Sequence, residues 1–392
     1  MTTTTLTDKI QSLFTEKHGS TPLLIQSPGR INLIGEHTDY NDGFVLPAAI
    51  DRYIICALAR NGHKDHCSVH AADFGETCEF SLAEVSPQER GSWKNYVLGV
   101  VAEMQQLGRE LSGFDIVFGG NIPNGAGLSS SAALENSIAF GLDQLFDLGI
   151  PRKEMTLISQ RAEHHFAGVK CGIMDQFASM LGQKDHALFL DCRSLDYTPV
   201  PVDFNDYELL LINTNVKHSL ADSAYNDRRN SCEAGVRILR ARFPHIKALR
   251  DATENDLGEV KHQLDEEVYA RCLYIIRENR RVQQAVAAMK EDDIPRLGSL
   301  LFASHEGLQH QYEVSCPELD YLVEKAKKNP DITGSRMMGG GFGGCTINLI
   351  KKGRADSFVQ GIKQEYSNTF NKELSTYSVS LTNGTSLAEP PE

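Results

Sequence analysis

The densest polar run in the chain is Arg30-Ile31-Asn32-Leu33-Ile34-Gly35-Glu36-His37-Thr38-Asp39-Tyr40, set between apolar stretches. Carboxylates and an imidazole lining a cleft suit sugar hydroxyls, which donate and accept hydrogen bonds at once. A solvated loop held by local salt bridges would have the same composition. A second set comprises Glu163-His164-His165 and Cys171-Gly172-Ile173-Met174-Asp175-Gln176-Phe177. Asp175 falls near a helix start, where it can cap the helix, pair with a buried arginine or act as a general base. Position alone does not choose among these.

Two glycine-rich loops complete the chemistry-bearing residues. In Pro123-Asn124-Gly125-Ala126-Gly127-Leu128-Ser129-Ser130-Ser131-Ala132-Ala133 the glycines allow a sharp turn. The N–H groups freed at the following helix start then face an anion, and a serine hydroxyl can also ligate Mg²⁺. A strand-to-helix turn with serine caps is the plainer reading. The Walker A pattern is absent. The second cluster, Gly339-Gly340-Gly341-Phe342-Gly343-Gly344, contains G-x-G-x-x-G but leads into a strand instead of a helix, which excludes a dinucleotide fingerprint. Either close approach to a ligand or a tight hairpin accounts for it. Asp73-Phe74-Gly75 lacks the other kinase motifs that would give it meaning, and His63, His66, Cys67 and His70 lack clean metal-ligand spacing.

These residues need elements to hold them. Spacing predicts helices from Thr7 to about His18, over 93–107, for about 15 residues after the serine loop, over 154–167 and from near Gly172. Strands are expected at 23–27, broken by Pro28-Gly29, and at 44–50, 53–60, 114–118, 187–190, 209–213 and 345–350. A shift to Asp, Tyr and Pro around 196–207 marks a domain boundary. The polar tail from Asn383 is expected to fray, and the sequon Asn383-Gly384-Thr385 to be idle. Strands and helices mix without strict alternation, which indicates an α+β fold.

Composition narrows the class. The chain has 392 residues, a formal net charge of −13 and 41% hydrophobic residues, an ordinary globular profile with length for about two domains. The excess of acid argues against nucleic acid or an anionic membrane as a partner. No run approaches the ~18 apolar residues of a membrane span, and the N-terminus does not read as a signal peptide. Nine dispersed cysteines without a C-x-x-C pair suit a reducing, cytoplasmic compartment.

Taken together, these motifs resemble one family. Gly29 to Tyr40 is similar to the galactokinase signature, with Glu36-His37-Thr38-Asp39 as its distinguishing part. Pro123 to Ala132 resembles the phosphate loop of the GHMP kinases, Met338 to Cys345 their third glycine motif, and Cys171 to Gln176 the segment with the galactokinase catalytic aspartate. The motifs stand in family order over about residues 28–350. The resemblance implies a two-domain α+β GHMP kinase fold. Residues 1–205 would be like the ribosomal S5 second domain, and 206–392 would be ferredoxin-like. It implies transfer of the ATP γ-phosphoryl to the anomeric hydroxyl of α-D-galactose, the first committed step of galactose catabolism, in a cytoplasmic monomer. Asp175 would then be the base and Arg30 its electrostatic partner. Glu36, His37, Thr38, Asp39 and Tyr225 would bind the sugar. Gly125, Ala126, Gly127, Leu128, Ser129, Ser130 and Ser131 would cradle ATP, and Ser131 and Glu163 would hold Mg²⁺. Sensor paralogues lose the end of the serine loop; its presence here, with Arg30 and Asp175, implies catalysis.

Overall fold

The computed structural model describes residues 3–216 and 221–388. In chain order the first half comprises α1 (Thr3–His18), β1 (Leu23–Asn32), β2 (Phe44–Val45), β3 (Pro47–Arg60), β4 (His66–Ala71), β5 (Glu76–Ser81), α2 (Lys94–Gln106), β6 (Phe114–Gly120), α3 (Ser130–Phe146), α4 (Arg152–Ala162), α5 (Met174–Leu181), β7 (His186–Asp191) and β8 (Tyr197–Pro201). The second half comprises β9 (Tyr207–Asn213), α6 (Ala221–Arg242), α7 (Glu254–Glu259), α8 (Glu266–Lys290), α9 (Ile294–His310), α10 (Pro317–Lys328), β10 (Ile332–Met337), β11 (Cys345–Lys351), α11 (Ala355–Phe370), β12 (Ser375–Ser378) and β13 (Ser386–Leu387). No described helix is long and apolar enough to cross a membrane.

A six-stranded sheet runs β13-β1-β3-β6-β4-β5, antiparallel except between β4 and β6. Both faces are covered, which explains why β3 reads as a nearly unbroken apolar run. Ile55 and Ala57 face α1, through Leu6, Ile10 and Phe14. Ile54, Cys56 and Leu58 face the opposite core with residues of α2, α3 and α4. A second, antiparallel sheet runs β10-β11-β9-β12. Leu210, Ile212 and Ile350 meet α10 and α11 on one face. Leu209, Leu211, Ile347 and Leu349 on the other join α8 and α9 in the core that extends to the first sheet.

Four expectations change against the structure. Pro28-Gly29 does not end β1. The strand continues to Asn32 through a register shift between Pro28 and Arg30. Gly29 is required there because a Cβ would lie 2.7 Å from the Leu128 carbonyl oxygen, so the bulge brings the strand against the serine loop. Residues 163–167 leave the α-helix for a π turn, a distortion common at functional sites. The Pro-containing segment at 197–201 is an ordered strand, and its prolines are tolerated because β8 is the edge of the small β2-β7-β8 sheet.

The tail is the fourth. Up to residue 388 it is built in: Ile25 and Gln26 pair with Leu387 and Ser386. Thr385 is buried, its Oγ1 2.7 Å from Ser27 Oγ and 3.0 Å from the Ser179 carbonyl oxygen that accepts from it. Of the sequon, Gly384 and Thr385 are buried while Asn383 stays exposed, and the last described strand belongs to the first sheet. Thr385→Val, which keeps the volume and removes the hydroxyl, is expected to lower stability by about 1–3 kcal/mol. Chemical denaturation of both proteins checks this, and an unchanged midpoint would show that the Thr385 hydroxyl contributes nothing.

Candidate active site

α5 places Asp175 by packing. Met174 and Phe177 bury into Val45, Leu188 and Leu190 of the small sheet, and Asp175, between them in sequence, meets β1 instead. Its Oδ1 and Oδ2 accept from Arg30 Nε and Nη2, both at 2.8 Å. Arg30 Nη1 donates to the Gly127 carbonyl at 2.5 Å, and Ser129 Oγ also donates to Asp175. The helix N-cap is Ile173, so Asp175 is an arginine partner and not the cap. Arg30 is 4% exposed and Asp175 28%. Burial opposes the Arg30 charge, but Asp175, Glu36 and Asp39 outweigh it and hold the guanidinium's pKa above its ordinary value.

Beside this pair lies a cavity of about 140 Å³ lined by Arg30, Glu36, His37, Asp39, Glu163, Asp175 and Tyr225, among others. The Glu36 carboxylate is held on every side. Oε2 accepts from Asn32 Nδ2 at 2.7 Å, and Oε1 from the Gly339 N–H at 2.8 Å and Arg336 Nη2 at 3.0 Å. His37 is buried with φ +65°. Burial first, then Arg228, pushes its pKa down to about 3, so the ring is neutral. Asp39 sits against Gly172, where any side chain would displace it. Burial, reinforced by Asp175, raises the Asp39 pKa to about 7. Tyr225 comes from α6 and lies 5.2 Å, centroid to centroid, from His37.

Thr38 is not brought to the cavity. Its hydroxyl contacts the carbonyl oxygens of Gly35, at 2.9 Å, and Phe44, at 2.6 Å, so it shapes the turn that presents its neighbours.

The two glycine loops meet. A cavity of about 570 Å³ opens between Asn124, Gly125 and Gly127 on one side and Met338 and Gly340 to Gly344 on the other. The 339–344 loop is thus both a hairpin between β10 and β11 and a cavity wall. In the serine loop Ala126 and Leu128 are buried, so only their backbone can serve a ligand. Ser129 turns toward Asp175, whereas Ser130 and Ser131 line a further cavity of about 320 Å³ with Trp93, Tyr96, Phe118 and Ile122.

Glu163 lies in the π turn, where its Oε2 accepts from Gln176 Nε2 at 2.8 Å. The same amide donates to Glu135 Oε2 at 3.2 Å. Glu135 is fully buried, and its Oε1 has no hydrogen-bond partner among the described residues. Burial, then Glu163, pushes its pKa well up. Ser131 and Glu135 are i and i+4 on α3 and share a face. A divalent cation fits this donor set: it would relieve two crowded carboxylates and engage the orphaned oxygen.

Sequence reasoning missed Arg336, Glu135 and Tyr312. Arg336 had a legible signal, a cation in a strand otherwise buried throughout its last residues. Tyr312 had none, because it follows α9 and reaches the site only through tertiary packing.

The raised Asp39 pKa has a consequence for stability. Between its unfolded value of 3.8 and about 7 the folded protein retains a proton that the unfolded chain releases. Stability therefore falls as pH rises through that window, and the cost is complete above it. Asp39→Asn removes this cost, so its melting temperature relative to the parent should climb from about pH 4 to about pH 8. A constant difference across that range would reject the assignment.

Three family descriptions match the chain. The galactokinase galactose-binding signature covers residues 12–60, the GHMP kinases N terminal domain 95–183 and the GHMP kinases C terminal domain 285–368. Galactokinase from Roseiflexus sp. (strain RS-1) is 41% identical over 372 residues, 95% of this chain and 94% of its own. Galactokinase from Thermotoga neapolitana is 41% identical over 360 residues, 92% of this chain and 98% of its own. The crystal structure of Lactococcus lactis galactokinase complexed with galactose superposes with a TM-score of 0.93 at 35% identity, covering 97% of this chain and 99% of that one. Methanococcus jannaschii mevalonate kinase shares the fold, with a TM-score of 0.66 at 17% identity over 93% of this chain and 99% of that one. By its sequence relatives and its fold, this chain belongs to the galactokinase family of the GHMP kinases.

Proposed function

We propose that the chain transfers the γ-phosphoryl group of ATP to the C1 hydroxyl of α-D-galactose, giving galactose 1-phosphate and ADP. The observation that carries this is the bidentate Arg30–Asp175 pair, placed at the sugar-sized cavity and tied by Arg30 Nη1 to the serine loop. Phosphoryl transfer asks for in-line positioning and charge neutralisation more than for covalent chemistry. Asp175 receives or orients the C1 hydroxyl proton. Arg30 keeps that carboxylate aimed and offers positive charge as the phosphoryl moves. Glu36, Asp39, His37 and Tyr225 line the cavity that takes the sugar hydroxyls. The start of α3 takes the phosphates, and the aromatic cavity beside Ser130 and Ser131, with Trp93 and Tyr96, suits adenine.

Mg²⁺ belongs to this reading, with Ser131 and Glu163 as ligands and Glu135 behind them; when bound it neutralises phosphate charge. The division into 1–205 and 206–392 also belongs to it, with the last strand returned to the first domain. All nine cysteines are free, which suits a cytoplasmic protein, and a monomer completes the reading.

Purified protein incubated with ATP, Mg²⁺ and a panel of hexoses should release ADP with galactose. ADP release only with another sugar would overturn the substrate. Asp175→Asn should lower kcat by roughly 10²–10⁴ while galactose binding stays within an order of magnitude. Arg30→Ala should cost about 10²–10³. Near-parental turnover in folded Asp175→Asn would refute the role given to that carboxylate.

A further inference from the structure

His37 does not hold its place in the cavity wall alone. Its Nδ1 lies 2.8 Å from Tyr40 OH, which lies 2.7 Å from Tyr312 OH, which lies 3.3 Å from Cys232 Sγ. The rings of His37 and Tyr312 pack at a tilt with centroids 4.8 Å apart, so the hydroxyls are fixed within an aromatic block. The other imidazole nitrogen, Nε2, is buried and has no hydrogen-bond partner among the described residues. Such an atom in the wall of a ligand cavity awaits a ligand.

We propose that Tyr40, polarised by Tyr312, is a positioning residue that holds His37 as its Nε2–H tautomer, so that the imidazole presents a hydrogen-bond donor to a substrate hydroxyl. This rests on the sugar-kinase reading of the cavity.

Counting protons along the chain gives the direction. The imidazole is neutral and carries one N–H. Each of the three contacts needs one donor; with both buried phenols donating within the row, the whole row points one way or the other. If it points toward His37, Cys232 S–H donates to Tyr312, Tyr312 to Tyr40 and Tyr40 to Nδ1, leaving the ring proton on Nε2. If it points away, Tyr312 must donate to a thiol sulfur, a weak acceptor, in place of a phenol oxygen. The first direction keeps both phenol protons on strong acceptors. The cavity's chemistry asks for the same tautomer. Glu36, Asp39 and Asp175 bring carboxylates, which take protons from hydroxyl groups. A hydroxyl oxygen then needs an N–H to accept from, and a donating His37 supplies one. With the opposite tautomer, two acceptors would compete for a single hydroxyl proton.

Two measurements test this. In protein labelled with ¹⁵N in its histidine rings, long-range ¹H–¹⁵N spectra identify which nitrogen is protonated, and His37 is assigned by its loss in His37→Gln. The expected result is an unprotonated Nδ1 and a protonated Nε2; a proton on Nδ1 overturns the proposal. Tyr40→Phe keeps the ring and removes the hydroxyl. It should raise the galactose KM about 3- to 10-fold, with kcat and the ATP KM within about twofold of the parent. An unchanged galactose KM in the folded variant, or a fall in kcat and both KM effects together, overturns it. If Tyr40→Phe does not fold, the tautomer in the parent protein decides. Failure of the substrate reading would look different: the parent itself would release no ADP with galactose, whatever its tautomer.

Discussion

The structure depends on one buried ion pair, Arg336 with Glu36. Arg336 is 0% exposed and Glu36 1%. The guanidinium reaches from β10 to β1, where Nε donates to the Leu33 carbonyl at 2.8 Å and Nη2 to the Asn32 carbonyl and Glu36. Nη1 donates to Met337, next to the third glycine loop, at 2.6 Å. The same Glu36 oxygen takes the Gly339 N–H. Two sheets from opposite halves of the chain are thereby locked at the floor of the site. Removing one partner of such a pair leaves a charge stranded in a low dielectric and costs about 3–5 kcal/mol, whereas an exposed pair is worth little. Glu36 therefore does two things at once: it lines the cavity beside Arg30 and Asp175 and fixes the start of the 339–344 loop.

Arg30 repeats this logic on the reacting side. Its three donors join Asp175 and the Gly127 carbonyl, so the Asp175 carboxylate and the serine loop are tied together. The bulge after Pro28 is what allows it. Without a Cβ at position 29 the strand comes close enough for Arg30 N to donate to the Leu128 carbonyl at 3.1 Å. Around these two cations stand Glu36, Asp39, Asp175, Glu163 and Glu135. Acid outnumbers base, and burial is felt in two of these carboxylates. Asp39 is pushed up to about 7 and Glu135 well above its ordinary value, by desolvation and by their acidic neighbours. A site with this imbalance suits a cation and a ligand rich in hydroxyl protons.

Local patterning determined much. Apolar patterning located α2, β6 and β9 to within a few residues, because each must bury one face whatever surrounds it. The polar run at 30–40, the serine loop, the 339–344 glycines and Asp175 were legible as chemistry-bearing because their composition is costly without a purpose: glycines lose entropy, and carboxylates between apolar strands need partners. The acidic balance and dispersed thiols belong to the same level.

Only the tertiary structure decided which open reading held. Asp175 became an arginine partner because α5 docks Met174 and Phe177 into the small sheet and turns it to β1. Thr38 left the sugar set because a turn inside the signature took its hydroxyl. The tail past Asn383 reads as solvent-exposed, yet it fills a gap between β1 and α5, where a buried serine and a buried carbonyl required a partner. Glu135, Tyr312 and Arg336 joined the site from distant segments. Spacing along the chain speaks for neighbours on one strand or helix, whereas hydrogen-bond saturation and charge compensation are settled in three dimensions, where residues three hundred positions apart share an oxygen.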